Sequence, residues 1–137
     1  MNKVFDTLTQ YGLHDTKIDR IILEGNSIVF EFDNGVYGLS ESGKEVALTD
    51  KCSLKITVDT AANEELENYV DIRRSFKKKT KELTIRELIG LADKNYFDVH
   101  NLYFSAFNSE VLIVGGIGKY GIEIYISDIL QAEYIFN

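Results

Sequence analysis

A two-residue alternation of apolar and polar side chains recurs along most of this chain and does most to limit how it can fold. In 27–32, Ile28, Phe30 and Phe32 fall on one side and Val29 and Glu31 on the other. Leu54, Ile56 and Val58 alternate with Lys55, Thr57 and Asp59, and Ile122, Ile124 and Ile126 with Glu123, Tyr125 and Ser127. Successive strand residues point to opposite faces, so each pattern describes a strand with one buried and one wet side. The 137 residues, 45% apolar and 12% aromatic, suffice for one domain with a proper core. The expected fold is α+β: a single domain over 1–137, mainly an antiparallel curled sheet of six to eight strands with two helices.

The turn signals locate the elements. Val4, Phe5, Leu8 and Tyr11 recur at helical spacing before Gly12, which predicts a short N-terminal helix over 2–11. A strand over 16–24 turns at Gly25-Asn26 into 27–32. Asp33-Asn34-Gly35 then predicts a type I′ hairpin with a return strand over 36–39. Further strands are expected at 45–48, 54–58, 69–76, 98–107, 110–116, 119–127 and 129–136, and a loop or frayed helical turn over 60–68. Val111 to Val114 is apolar at every position, which predicts a central strand covered on both sides. Thr84-Ile85-Arg86-Glu87 has the spacing of a capping box, and Ile85, Leu88, Ile89 and Ala92 form a stripe behind it. That predicts the main helix, 84–94. Gly90 inside it costs about 1 kcal/mol of propensity, which would be offset by close packing against a neighbour.

Charge is polarised. Residues 73–97 hold eight of the fifteen Lys and Arg against three acids, whereas 1–72 hold six bases and fourteen acids. The net charge is −7. An acidic exterior steers association with basic partners, and the densest acids are Asp59, Glu64, Glu65, Glu67 and Asp71. A second candidate contact is basic: Arg73, Arg74, Lys77, Lys78 and Lys79. That run could meet an acidic partner or phosphates, yet an overall acidic chain whose basic run contains Phe76 as its single aromatic does not favour nucleic acid. Lysines on a strand edge also discourage edge-to-edge aggregation.

No catalytic, cofactor or metal site is assigned. Gly116-Ile117-Gly118-Lys119-Tyr120-Gly121 matches G-x-G-x-x-G in form. A dinucleotide fingerprint must open a helix, however, and a strand pattern follows here, so the run reads as a glycine-rich hairpin. His14 and His100 lie 86 positions apart without metal spacing. Paired carboxylates for acid–base work cannot be told from chance among fourteen acids. Cys52 is the lone cysteine, which excludes an internal disulfide, and its alternating neighbours place it on the buried face of a strand. The N-terminus has no apolar core of a signal peptide and no apolar run approaches bilayer length, so a cytoplasmic protein without membrane contact is expected.

From Leu13-His14-Asp15-Thr16-Lys17-Ile18 through Ile21 and Ile28-Val29-Phe30-Glu31-Phe32 to Gly35, the chain resembles the start of small β-rich bacterial proteins of immunity or antitoxin type. The resemblance implies an acidic single domain that neutralises a partner, such as a basic toxin, by binding it. It assigns no residue. Three readings follow: a non-enzymatic protein-binding module, a small-ligand binder or enzyme with a Tyr/Phe-lined pocket and carboxylates, and a nucleic-acid contact through the basic run. Self-association into a homo-oligomer is compatible with the first.

Overall fold

The computed structural model describes residues 8–136. In chain order the elements are β1 (Tyr11–Gly12), β2 (Thr16–Ile18), β3 (Arg20–Glu24), β4 (Ser27–Phe32), β5 (Tyr37–Leu39), β6 (Glu45–Leu48) and β7 (Cys52–Val58). A 3-10 turn (Leu66–Tyr69) precedes β8 (Val70–Phe76), β9 (Lys79–Leu83) and α1 (Ile85–Lys94). The chain continues through β10 (Phe97–Ser105), β11 (Glu110–Ile117), β12 (Tyr120–Ile126) and β13 (Ile129–Phe136). The strands form three antiparallel sheets rather than one: β2-β10-β11-β12-β8-β9, β13-β7-β4-β3, and a small β1-β5-β6. Thirteen strands among the described residues exceed the six to eight expected. The expected N-terminal helix, 2–11, lies mostly outside the described residues; of its described positions, 8–10 form a 3-10 turn, and Tyr11 belongs to β1 together with Gly12.

The inner faces of the two large sheets share one core. Phe97, Val99, Ile113, Ile122, Ile124 and Ile72 come from the six-stranded sheet, and Phe30, Phe32, Leu54 and Ile56 from the four-stranded one, all buried. Ile85, Leu88 and Ala92 of α1 join them. The capping box forms as expected: Thr84 Oγ1 accepts from the Glu87 amide at 3.1 Å, and Glu87 Oε1 accepts from the Thr84 amide at 3.0 Å. Gly90 is different from expectation. An added Cβ there would meet nothing within 4 Å, so no close neighbour requires the glycine.

Two local departures have clear causes. The segment 16–24 is split between sheets at Asp19. Ile18 and Ile21 are both buried, and residues three apart cannot share a face of one continuous strand. Asp19 absorbs the change of face; its amide donates to Glu31 O, and its carboxylate accepts from the Asp33 amide. Arg20 then reaches both Glu31 and Asp33, at 2.6 and 2.7 Å. The Asn34-Gly35 hairpin does not form either. β4 has β3 on one side and β7 on the other, so no slot remains for a returning strand. Gly35, at φ 79°, instead turns the chain away, with its amide bonded to Phe32 O and its Cα packed against Thr49. The returning strand β5 pairs with β1 and β6, and that small sheet is tied down where the Tyr11 ring packs on Tyr134 and Phe136 at 5.0 and 5.3 Å.

Candidate functional site

The outer face of the six-stranded sheet is uncovered among the described residues. Register sets its residues in rows across the strands. One row runs Tyr103, Leu112, Tyr125, Asp71, and the next runs Asn101, Val114, Glu123, Arg73, Glu82. Tyr103 is 55% exposed and Tyr125 37%, while Leu112 and Val114 are half-buried. The expectation that 111–114 is covered on both sides is therefore overturned. Val111 and Ile113 face the core, whereas Leu112 and Val114 form the apolar centre of an open surface.

Carboxylates border this centre. Tyr125 Oη donates to Glu110, which holds the phenol above its ordinary pKa because the bond favours the protonated form. Glu123 and Glu82 flank Arg73 in register, and Asp71 ends the tyrosine row. Four carboxylates thus stand against one guanidinium around a Tyr–Leu–Tyr stripe. A groove of about 260 Å³ runs between Tyr103, Phe104, Leu112, Tyr125 and Glu110, and a second of about 330 Å³ lies between Asp71, Arg73, Glu123 and Tyr125. Both are open to solvent, unlike the enclosed clefts that bury most of a small ligand's surface.

The predicted acidic contacts do not form one surface. Asp71 lies on the open face. Glu67 is committed to the N-terminus of α1, accepting the Ile85 amide at 3.2 Å, and Glu64 accepts the Tyr69 hydroxyl. Asp59 and Glu65 are exposed in the connection between β7 and β8. The basic candidates occupy the β8–β9 hairpin at the sheet edge, as a strand edge was expected to. Arg73 points to the open face, Arg74 and Lys79 line a cleft on the other side, and Lys77-Lys78 make the turn. Tyr103, Leu112, Tyr125, Glu110 and Glu123 were not singled out by the sequence reading. The wet side of 122–126 pointed toward them, but only register shows that they are neighbours.

The remaining motifs are structural. Gly116 to Gly121 spans the two-residue β11–β12 hairpin, with Gly118 at φ 57°. Cys52 is fully buried on the face of Leu54, Ile56 and Val58, and burial raises its thiol pKa. No three His, Cys, Asp or Glu side chains among the described residues converge as metal ligands, and no described helix is long and apolar enough to cross a membrane. Comparison with protein-family models, curated proteins and solved structures gives no match to this chain.

Proposed function

We propose that this protein is a non-enzymatic binding module that docks a basic protein partner on the open face of its six-stranded sheet. The observation that carries the reading is the Tyr103–Leu112–Tyr125 row with Glu110, Asp71 and Glu123 around it. Tyrosines at the centre of a patch supply large contact area at low entropic cost. The bordering carboxylates steer a Lys/Arg-rich surface and reject an acidic one. The same charges oppose a second copy, since apposed open faces would bring like carboxylates together.

Neutralisation of a basic toxin is the specific form of this reading. It rests on the immunity-type resemblance of residues 13–35, a segment that builds β2 to β4 and supplies no residue to the tyrosine row. The test is affinity capture from the native host at low salt with the wild-type chain and with Tyr103→Ala/Glu123→Lys. Recovery of a basic polypeptide that is released by salt and lost with the variant supports docking on this face. Identical capture by both chains, or none by the wild type, removes it.

A further inference from the structure

The opposite side of the β8–β9 hairpin holds a different kind of site. Beyond the end of the core, Phe76 and Tyr120 meet edge to face with centroids 5.7 Å apart, and cations surround them. The Arg74 guanidinium carbon stands 4.5 Å from the Tyr120 centroid. Lys119 Nζ lies 4.9 Å from the Phe76 ring and 5.3 Å from Tyr120, and Lys77 Nζ 5.3 Å from Phe76. Lys79 and Lys81 extend the cluster from β9, so that Arg74, Phe76, Lys79, Thr80, Lys81 and Tyr120 line a cleft of about 300 Å³. Among the described residues, these cations make one ion pair, Lys81 with Glu87 at 3.8 Å.

Five positive side chains held around two rings repel one another, and cation–π contacts offset only part of that cost at an exposed site. The arrangement is complete when a multivalent anion occupies the cleft. The Arg and Lys donors suit clustered phosphate oxygens, which accept several charge-assisted hydrogen bonds at once. The size of the cleft sets an upper limit on the ligand. A long polyanion would also run into the Glu87 carboxylate that pairs with Lys81 at the edge of the cleft, so a nucleic-acid strand fits less well than a compact ligand.

We infer that the cleft between Arg74, Lys79, Lys81, Phe76 and Tyr120 binds a compact anion bearing adjacent phosphate groups. Inorganic polyphosphate and a nucleoside polyphosphate share this chemistry, and the rings give the second something to stack on. The site lies on the side of the sheet opposite Tyr103 and Tyr125, so its failure leaves the partner-docking reading standing, and the reverse also holds.

The test is calorimetric titration of the full chain with inorganic tripolyphosphate at about 50 mM salt, where exposed charges are weakly screened, with a nucleoside triphosphate and a short single-stranded oligonucleotide as further arms. One ligand per chain is expected, weakened about tenfold or more by Arg74→Ala and by Lys79→Ala/Lys81→Ala, and unchanged by Tyr103→Ala. The lysine pair is exposed, so the test stands even where Arg74→Ala unfolds. Tighter binding of the nucleoside triphosphate assigns a role to the rings; equal binding assigns the phosphates alone. No saturable binding, an equal loss with Tyr103→Ala, or a clear preference for the oligonucleotide overturns the proposal.

Discussion

His14 Nδ1 lies 2.7 Å from the backbone carbonyl oxygen of His100, while His14 Nε2 faces Asp15 at 3.3 Å. Two histidines 86 positions apart are joined in this way through the pairing of β2 with β10, and both ring nitrogens of His14 point at acceptors. The protonated imidazole alone can donate to both, so its pKa is raised, first by the His100 carbonyl and then by Asp15. A raised histidine stabilises the fold below its unfolded pKa and loses that contribution as pH rises through the folded value. His14→Ala is expected to lower the melting temperature near pH 6 and to converge on wild type above the folded pKa. Thermal melts across pH 6–9, with an NMR titration of the His14 ring, check it; a pKa at or below 6.5 contradicts it.

The two glycines in buried or helical surroundings respond in opposite directions. Gly90→Ala meets open space and gains helix propensity, so stability rises by about 1 kcal/mol. Gly115→Ala places a Cβ 2.0 Å from Asp98 O and 2.6 Å from Phe97 Cε1, a backbone clash worth on the order of 3 kcal/mol. Urea titration of both variants at one pH reads the two signs directly.

Removal of the α1 cap has two linked signatures. Thr84→Ala deletes the hydroxyl that accepts the Glu87 amide and costs about 1 kcal/mol. Glu87 owes its lowered pKa chiefly to the Thr84 amide, and loosening the box moves it back up toward 4.5. The stabilising contribution of a depressed carboxylate is present above the unfolded pKa and fades as pH falls through the folded one. The wild-type advantage over Glu87→Gln therefore shrinks on acidification below pH 4.5, as measured by chemical denaturation.

Cys52 reports on the whole fold. It is fully buried, with its thiol pKa pushed up by burial and eased slightly by Thr49. Alkylation by a thiol reagent is expected to follow the population of unfolded chain, accelerating with urea in step with the loss of circular dichroism. Rapid labelling in native buffer contradicts this placement.

The α1 helix, the alternating strands and the buried face of Cys52 were legible because each is set by local period or capping. Sheet partners were not. Nothing near Asn34-Gly35 indicates that both flanks of β4 are already occupied. The break at Asp19 was written in the spacing of Ile18 and Ile21, which one straight strand cannot bury together. Single-residue reading also overvalued the acidic stretch. Glu67 serves the helix start, and the carboxylates that share a surface with Asp71 come from distant strands. The aromatic missing from the basic run arrives the same way, as Tyr120 crosses over from β12 to meet Phe76.

The pairing of β7 with β13 joins residues 71 to 84 positions apart, from Val58↔Ile129 to Cys52↔Phe136. On the ribosome, the strand that carries Leu54 and Ile56 leaves the exit tunnel long before its neighbour has been made, by on the order of ten seconds at ordinary elongation rates. During that interval one flank of β7 offers unsatisfied amides and carbonyls beside greasy side chains. Until β13 emerges, that flank of β7 is an open strand edge, the part of a nascent copy most exposed to pairing with another chain.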